Sequence, residues 1–309
     1  MKRLLLLPAL LLAACTGEDA AGRGNLEIVM SGGRAVEAGY PHDETDLGRL
    51  EFVDGWSVQI TRFLVTVGSV RLTEPLPDGE TGDGPEVASW VGPGVVDLAN
   101  PVSGTELPAI TDVPAVRSDV SFDFVAATAA TENISATPAD FQRLVDNGWT
   151  VLIEGTATKT GTTTGTTVEF SLGFDAPTRF SRCTNGLDNT RGIAVEASKT
   201  TRAFLYPHTP HLWWDTLVGS NSSLRFDPWA AVAGPDGVVT MQELATQNLL
   251  DLRDADGGPL MDPVGSGQVR FDDGGLLPTS ALDLASYVRY GFRQSAHFNG
   301  LGFCPWTPL

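Results

Sequence analysis

The chain has 309 residues and a formal charge of −18, from 38 acidic and 20 basic side chains. Such acidity argues against a nucleic-acid partner and against docking on anionic lipid surfaces. A hydrophobic share of 42% supports a packed core, which excludes a disordered stalk and leaves room for one large β-domain or two smaller units.

The N-terminus reads MKRLLLLPALLLAAC: Lys2 and Arg3, an apolar run from Leu4 to Leu12, small residues, then Cys15. The run is well short of the roughly 20 residues that span a bilayer, so it reads as an export signal. Leu12-Ala13-Ala14-Cys15 resembles a bacterial lipobox. That resemblance implies residues 1–14 as a lipoprotein signal peptide, cleavage before Cys15 and its diacylation. Thr16 stands where an aspartate would favour inner-membrane retention, so the expected address is the outer membrane, periplasmic or surface-facing. Several acyl chains on one cysteine attach a protein stably with no helix crossing the membrane. Residues 15–24 are polar and small and read as the lipidated tether. The lipid is the one partner contact implied, and a monomer is expected.

From Asn25 the pattern is β. NLEIVMSGG is a first strand. LEFVDGWSVQITRFLVTVGSVRLTE follows, dense in strand formers after an Asp54-Gly55 turn. Pro75 to Glu86 is a polar loop, and VASWVGPGVVDL resumes short strands. In Ser118 to Thr128, Val120, Phe122 and Phe124 alternate with Ser121 and Asp123, the period of a strand with two unlike faces. One helix interrupts: TPADFQRLVDNG has Thr137 as N-cap, Pro138 in the first turn and Gly148 as the stop. The 27 residues from Trp149 to Asp175 read as a hairpin, and GIAVEASKTTRAFLYPH adds one or two strands. Residues 25–206 are therefore expected to form an antiparallel β-sandwich or barrel.

Residues 207–309 have helical periodicity and caps, and are expected to be mostly helical: a layer on the sandwich or a small subdomain integrated with it. Leu244, Leu249, Leu250 and Leu252 line one expected helix face; Leu282, Ala285, Tyr287 and Val288 line another. With Cys15 taken by lipid, Cys183 and Cys304 remain as a pair in an oxidising compartment. Their disulfide would close a loop of over a hundred residues, worth about 4 kcal/mol in the chain-entropy model.

Two constellations could hold a cation. In AGPDGVVTMQEL, Gly237 and Glu243 occupy positions six and twelve of a calcium loop that starts at Val232, with Asp236 at five. Val232 and Gly234 stand where oxygen ligands belong, so the loop alone cannot supply the six to eight oxygens calcium takes. A turn at Asp236-Gly237 and a capping box from Thr240 to Glu243 account for the same residues. Asp236 and Glu243 remain calcium candidates, with calcium placed behind a transition metal.

The second constellation is YPHTPHLWWD. Pro207 and Pro210 argue against a regular helix, so His208 and His211 need a turn to chelate together. His297, seven residues before Cys304, is a third candidate if the disulfide draws the tail back, and Asp215 is a candidate ligand or second acceptor. His42, in GYPHDETD, is a weaker candidate. Imidazoles in an oxidising envelope suit copper or zinc.

The lipobox, the segment Asp54 to Leu72, HLWWD, the calcium half-loop and the Cys304 tail together resemble uncharacterised acidic bacterial lipoproteins. A fainter likeness is to the methanobactin-associated periplasmic copper proteins, which are secreted β-rich chains with few histidines. No short motif specific to the latter is present, so copper enters by analogy.

Enzymatic motifs are not found. G-x-S-x-G, H-E-x-x-H and a phosphate-binding glycine loop are all missing from the sequence, and Gly265-Ser266-Gly267 lacks the strand-to-helix context of a nucleophile. The expectation is a lipid-anchored envelope protein that binds a transition metal and is not an enzyme. The alternatives are a structural or interaction lipoprotein without metal, and an envelope hydrolase.

Overall fold

The computed structural model describes residues 22–44, 47–77, 79–80, 82–100, 103–159, 166–219, 222–262, 265 and 267–309. The signal peptide, Cys15 and most of the tether lie outside the described residues, as does the tip of the 149–175 hairpin. The first strand opens at Arg23, inside the expected tether.

The fold is mainly β, with two large sheets and a small helical part. The larger sheet runs in the order Val238–Val239, Thr166–Phe174, Val151–Lys159, Trp56–Thr73, Arg117–Phe124, Thr178–Phe180, Trp306–Pro308, and Glu86–Asp97 also pairs with Trp56–Thr73. The expected hairpin is there, in register from Val151 opposite Phe174 to Lys159 opposite Thr166. Glu86–Asp97 is one long strand with register shifts where short strands were expected.

The smaller sheet places Thr200–Pro207 between Arg23–Met30 and Ala296–Phe298. Arg23–Met30 and Thr200–Pro207 run parallel, so this sheet adds a parallel pair to the expected antiparallel pattern. No short turn joins two strands so far apart in sequence, and either direction is open to them.

Alternation assigns the faces. Val120, Phe122 and Phe124 enter the main core, while Asp123 on the opposite face receives both Arg71 and Arg179. Burial pushes the Asp123 carboxyl up, but the hydrogen bonds from the two guanidinium groups outweigh it and hold it below its ordinary value. Along Trp56–Thr73, Phe63 and Val65 face the main core, whereas Leu64 joins Val95, Leu144 and Leu152 in a smaller cluster under the helix Pro138–Asn147. That helix has the expected ends: the Thr137 side chain accepts from Asp140 N, and Gly148 is left-handed at φ 62°.

The C-terminal part is woven into both sheets. Ala296–Phe298 pairs with Thr200–Pro207, Trp306–Pro308 pairs with Thr178–Phe180, and Cys183 is bonded to Cys304. One main core contains Ile28, Phe122, Leu205, Trp229 and Phe292 alike.

Its expected mostly helical character is corrected. Leu284–Arg293 is a ten-residue helix, but the helix expected from Thr240 stops after Met241–Leu244. Beyond it the backbone pairs at a distance: Leu249 N donates to Leu282 O, and Leu260 N to Leu252 O. The Gln247 side chain reaches Pro228 O and accepts from Arg253 N. Leu249 and Leu252 are buried by these loops, while Leu250, expected on the same helix face, is exposed. No helix among the described residues is long and apolar enough to cross a membrane.

Candidate metal centre

Pro207 ends the strand Thr200–Pro207. It lacks an amide hydrogen, so it cannot extend the ladder as a donor. His208 follows in extended conformation, its N–H donating to Ser295 O at 2.7 Å. A 3₁₀ turn, Thr209–Leu212, begins at once, with Pro210 in its first positions. This is the turn that joint chelation requires, and it brings His211 back beside His208, with ring centroids 5.5 Å apart.

His297 arrives by strand pairing. In Ala296–Phe298 it lies opposite Tyr206, two residues before His208. Its ring centroid is 5.3 Å from that of His208 and 5.7 Å from that of His211. One ligand atom from each histidine lies within 4.8 Å of the other two. Ligand nitrogens about 2.0–2.1 Å from a tetrahedral zinc would sit closer together than that, so modest ring rotations are needed to close the set.

The ring nitrogens are buried and unspent. His208 Nδ1 and His211 Nδ1 have no hydrogen-bond partner among the described residues, and neither nitrogen of His297 is in a well-aligned hydrogen bond, although the backbone of Leu301 and Gly302 lies beside its ring. A buried polar atom without a partner costs about 1–3 kcal/mol, and such atoms on three neighbouring rings need an explanation. A bound cation supplies one.

Electrostatics suits that explanation. Burial, with smaller contributions from His208 and His297, holds the His211 imidazole well below its ordinary pKa. Burial, then His208, brings His297 down to about 4. Both rings are therefore neutral near pH 7 and keep lone pairs for a metal. Trp214 packs on His211 with centroids 4.0 Å apart, and Tyr206 lies against His297 at 5.7 Å.

A carboxylate completes the surroundings. Glu44 Oε2 is 3.1 Å from His208 Nε2, and Glu44 Oε1 is 3.7 Å from His42 Nε2. Burial pushes Glu44 up, but the hydrogen bond it accepts from His208, and then the nearness of His42, outweigh burial and hold it at about 2. Two of the chain's four histidines, His42 and His208, thus face one carboxylate. Glu44 is the residue that sequence reasoning missed. Its signal was local: His42 and Glu44 are two apart in the strand His42–Glu44, hence on one face.

The remaining candidates lie elsewhere. Asp215 accepts from Arg225 Nε and from Ser223 N, both at 2.8 Å, and is not in the three-histidine group. Asp236 Oδ1 accepts from Val238 N at 3.1 Å, with Gly237 left-handed at φ 77°. Glu243 accepts from Thr240 N at 3.1 Å and from the Thr240 hydroxyl, closing the capping box. The half-loop is thus a turn running into a cap, and its two carboxylates are engaged within it.

Compared with protein-family models, curated proteins and solved structures, the chain matches none.

Proposed function

We propose that this chain is a lipid-anchored metal-binding protein of the cell envelope, in which His208, His211 and His297 hold one zinc or copper ion. The observation that carries this reading is the convergence of three imidazoles with buried, unpartnered nitrogens. Imidazole donors suit zinc and copper, whereas calcium prefers oxygen. The adjacent Glu44 carboxylate favours a cation in the cluster through its charge. Export and lipidation at Cys15 rest on the basic, apolar and small regions of the N-terminus. The Cys183–Cys304 disulfide is in keeping with an oxidising compartment.

The test is a titration of the full chain, carrying no polyhistidine tag, with zinc and with copper, followed by binding and by thermal unfolding. One ion per chain and a raised Tm are expected, both lost in the His208→Ala/His211→Ala double variant. A wild-type chain that binds neither ion and shows no shift leaves the envelope role without metal as the reading.

A further inference from the structure

The two nitrogens of His208 are in different situations. Nε2 faces Glu44 Oε2 at 3.1 Å, and Nδ1 is buried without a partner among the described residues. A carboxylate only accepts hydrogen bonds, so Nε2 must carry the hydrogen, and the lone pair is left on Nδ1. The nitrogens of one imidazole point away from each other. A metal on Nδ1 therefore has Glu44 on the far side of the ring. Consistently, Glu44 is not in the group whose donor atoms lie within 4.8 Å of one another.

We propose that Glu44 acts outside the coordination shell as a positioning residue, fixing His208 to ligate through Nδ1, and that the ion keeps a fourth position for an exogenous ligand. This rests on the three-histidine reading above. His42 lies on the other side of Glu44. Its Nδ1 donates to Gly39 O at 2.7 Å, which leaves Nε2 facing Glu44 Oε1 at 3.7 Å, beyond hydrogen-bond reach. Carboxylate–histidine–metal chains of this kind orient the ligand ring and raise its basicity. Three protein nitrogens with an open position form the arrangement of zinc sites that bind water or substrate, unlike closed four-ligand structural sites. The exogenous ligand is thus a small donor such as water, hydroxide or another simple anion. Glu44 and Tyr206, neighbours of His208 and His297, line a surface cavity of about 360 Å³ with Arg34 on its wall.

The experiment uses the full chain, wild type and Glu44→Gln, loaded with cobalt(II) as a spectroscopic stand-in for zinc. An amide can donate or accept, so the substitution removes the tautomer constraint at nearly constant shape. Three results are expected. Glu44→Gln weakens zinc binding 10- to 100-fold in a competition titration, as loss of an outer partner does. The cobalt spectrum of the variant at saturation keeps the wild-type ligand set. Azide shifts the visible bands of the wild-type protein. Unchanged zinc affinity in the variant overturns the positioning role. A variant spectrum that reports one protein ligand fewer, or a wild-type spectrum indifferent to azide, overturns the outer-shell assignment or the open position. If Glu44→Gln unfolds, Glu44→Asp keeps the carboxylate on a shorter arm and is expected to weaken zinc by a smaller factor; unchanged affinity overturns the proposal. A wild-type chain that takes up no metal defeats the three-histidine reading itself, which is a separate outcome.

Discussion

Glu44 and His208 lie 164 residues apart in the chain and 3.1 Å apart in the fold. Their meeting depends on two elements that know nothing of each other in sequence. The short strand His42–Glu44 presents the carboxylate, and the proline-bounded turn after Thr200–Pro207 presents the imidazole. Tyr40 links them again, its hydroxyl 2.9 Å from Thr209 Oγ1.

Asp215 separates metal binding from structure. Its partner Arg225 is buried, and breaking a buried pair by removing one charge costs about 3–5 kcal/mol. Asp215→Asn is expected to lower unfolding stability by an amount of that order in a urea titration and to leave the metal stoichiometry of the folded protein at the wild-type value. Metal lost at unchanged stability would make Asp215 a ligand.

The half-loop makes an opposite prediction for calcium. Thr240→Ala removes a helix cap and should cost about 1 kcal/mol, read as a lower Tm. Calcium at millimolar concentration should leave the Tm of the wild-type chain unchanged, since Asp236 and Glu243 are engaged in the turn and the cap.

Much of this was legible in the sequence, and the limits are physical. The alternation of Val120, Phe122 and Phe124, the Thr137 and Gly148 helix ends and the Thr240–Glu243 cap are local, and they appear where the pattern puts them. The proximity of His208 and His211 needed only a turn that two prolines suggest. The place of His297 depended on register, Tyr206 opposite His297, which no local pattern encodes. The i, i+2 spacing of His42 and Glu44 was a local signal, but the pairing of Glu44 with His208, 164 residues on, was not. Leu249 and Leu252 imitate a helix face, yet they are buried by loops whose backbone groups pair with Leu282 and Leu260. Periodicity alone cannot tell these cases apart.

Asp54 gives the fold a pH signature. It accepts from Phe226 N and Asp227 N. Burial, with Asp227 nearby, raises its pKa from 3.8 to about 6. The folded state then binds the extra proton between those values, so this group's contribution to stability falls as pH rises through that window. A shift of about two units corresponds to roughly 3 kcal/mol. Asp54→Asn keeps an acceptor without the charge. The variant should gain on the wild type by about that amount between pH 3.5 and pH 7 in parallel denaturant titrations. A constant difference across the range would show that Asp54 does not titrate there.

The disulfide joins stability to the site. It spans 121 residues, and a loop of that size corresponds to about 4–5 kcal/mol in the chain-entropy model. Cys183→Ser/Cys304→Ser should lower the denaturant midpoint accordingly. It should also weaken metal binding, because the strand that carries His297 lies just before Cys304. Equal metal affinity with and without the disulfide would show that strand pairing alone holds His297.

The most direct measurement is the metal content of the full, untagged chain by elemental analysis after growth with zinc and copper and removal of loosely held ions. The three-histidine account predicts about one zinc or copper ion per wild-type chain and none in a folded His208→Ala/His211→Ala/His297→Ala variant. A wild-type chain without metal, or a triple variant that keeps its ion, would contradict it.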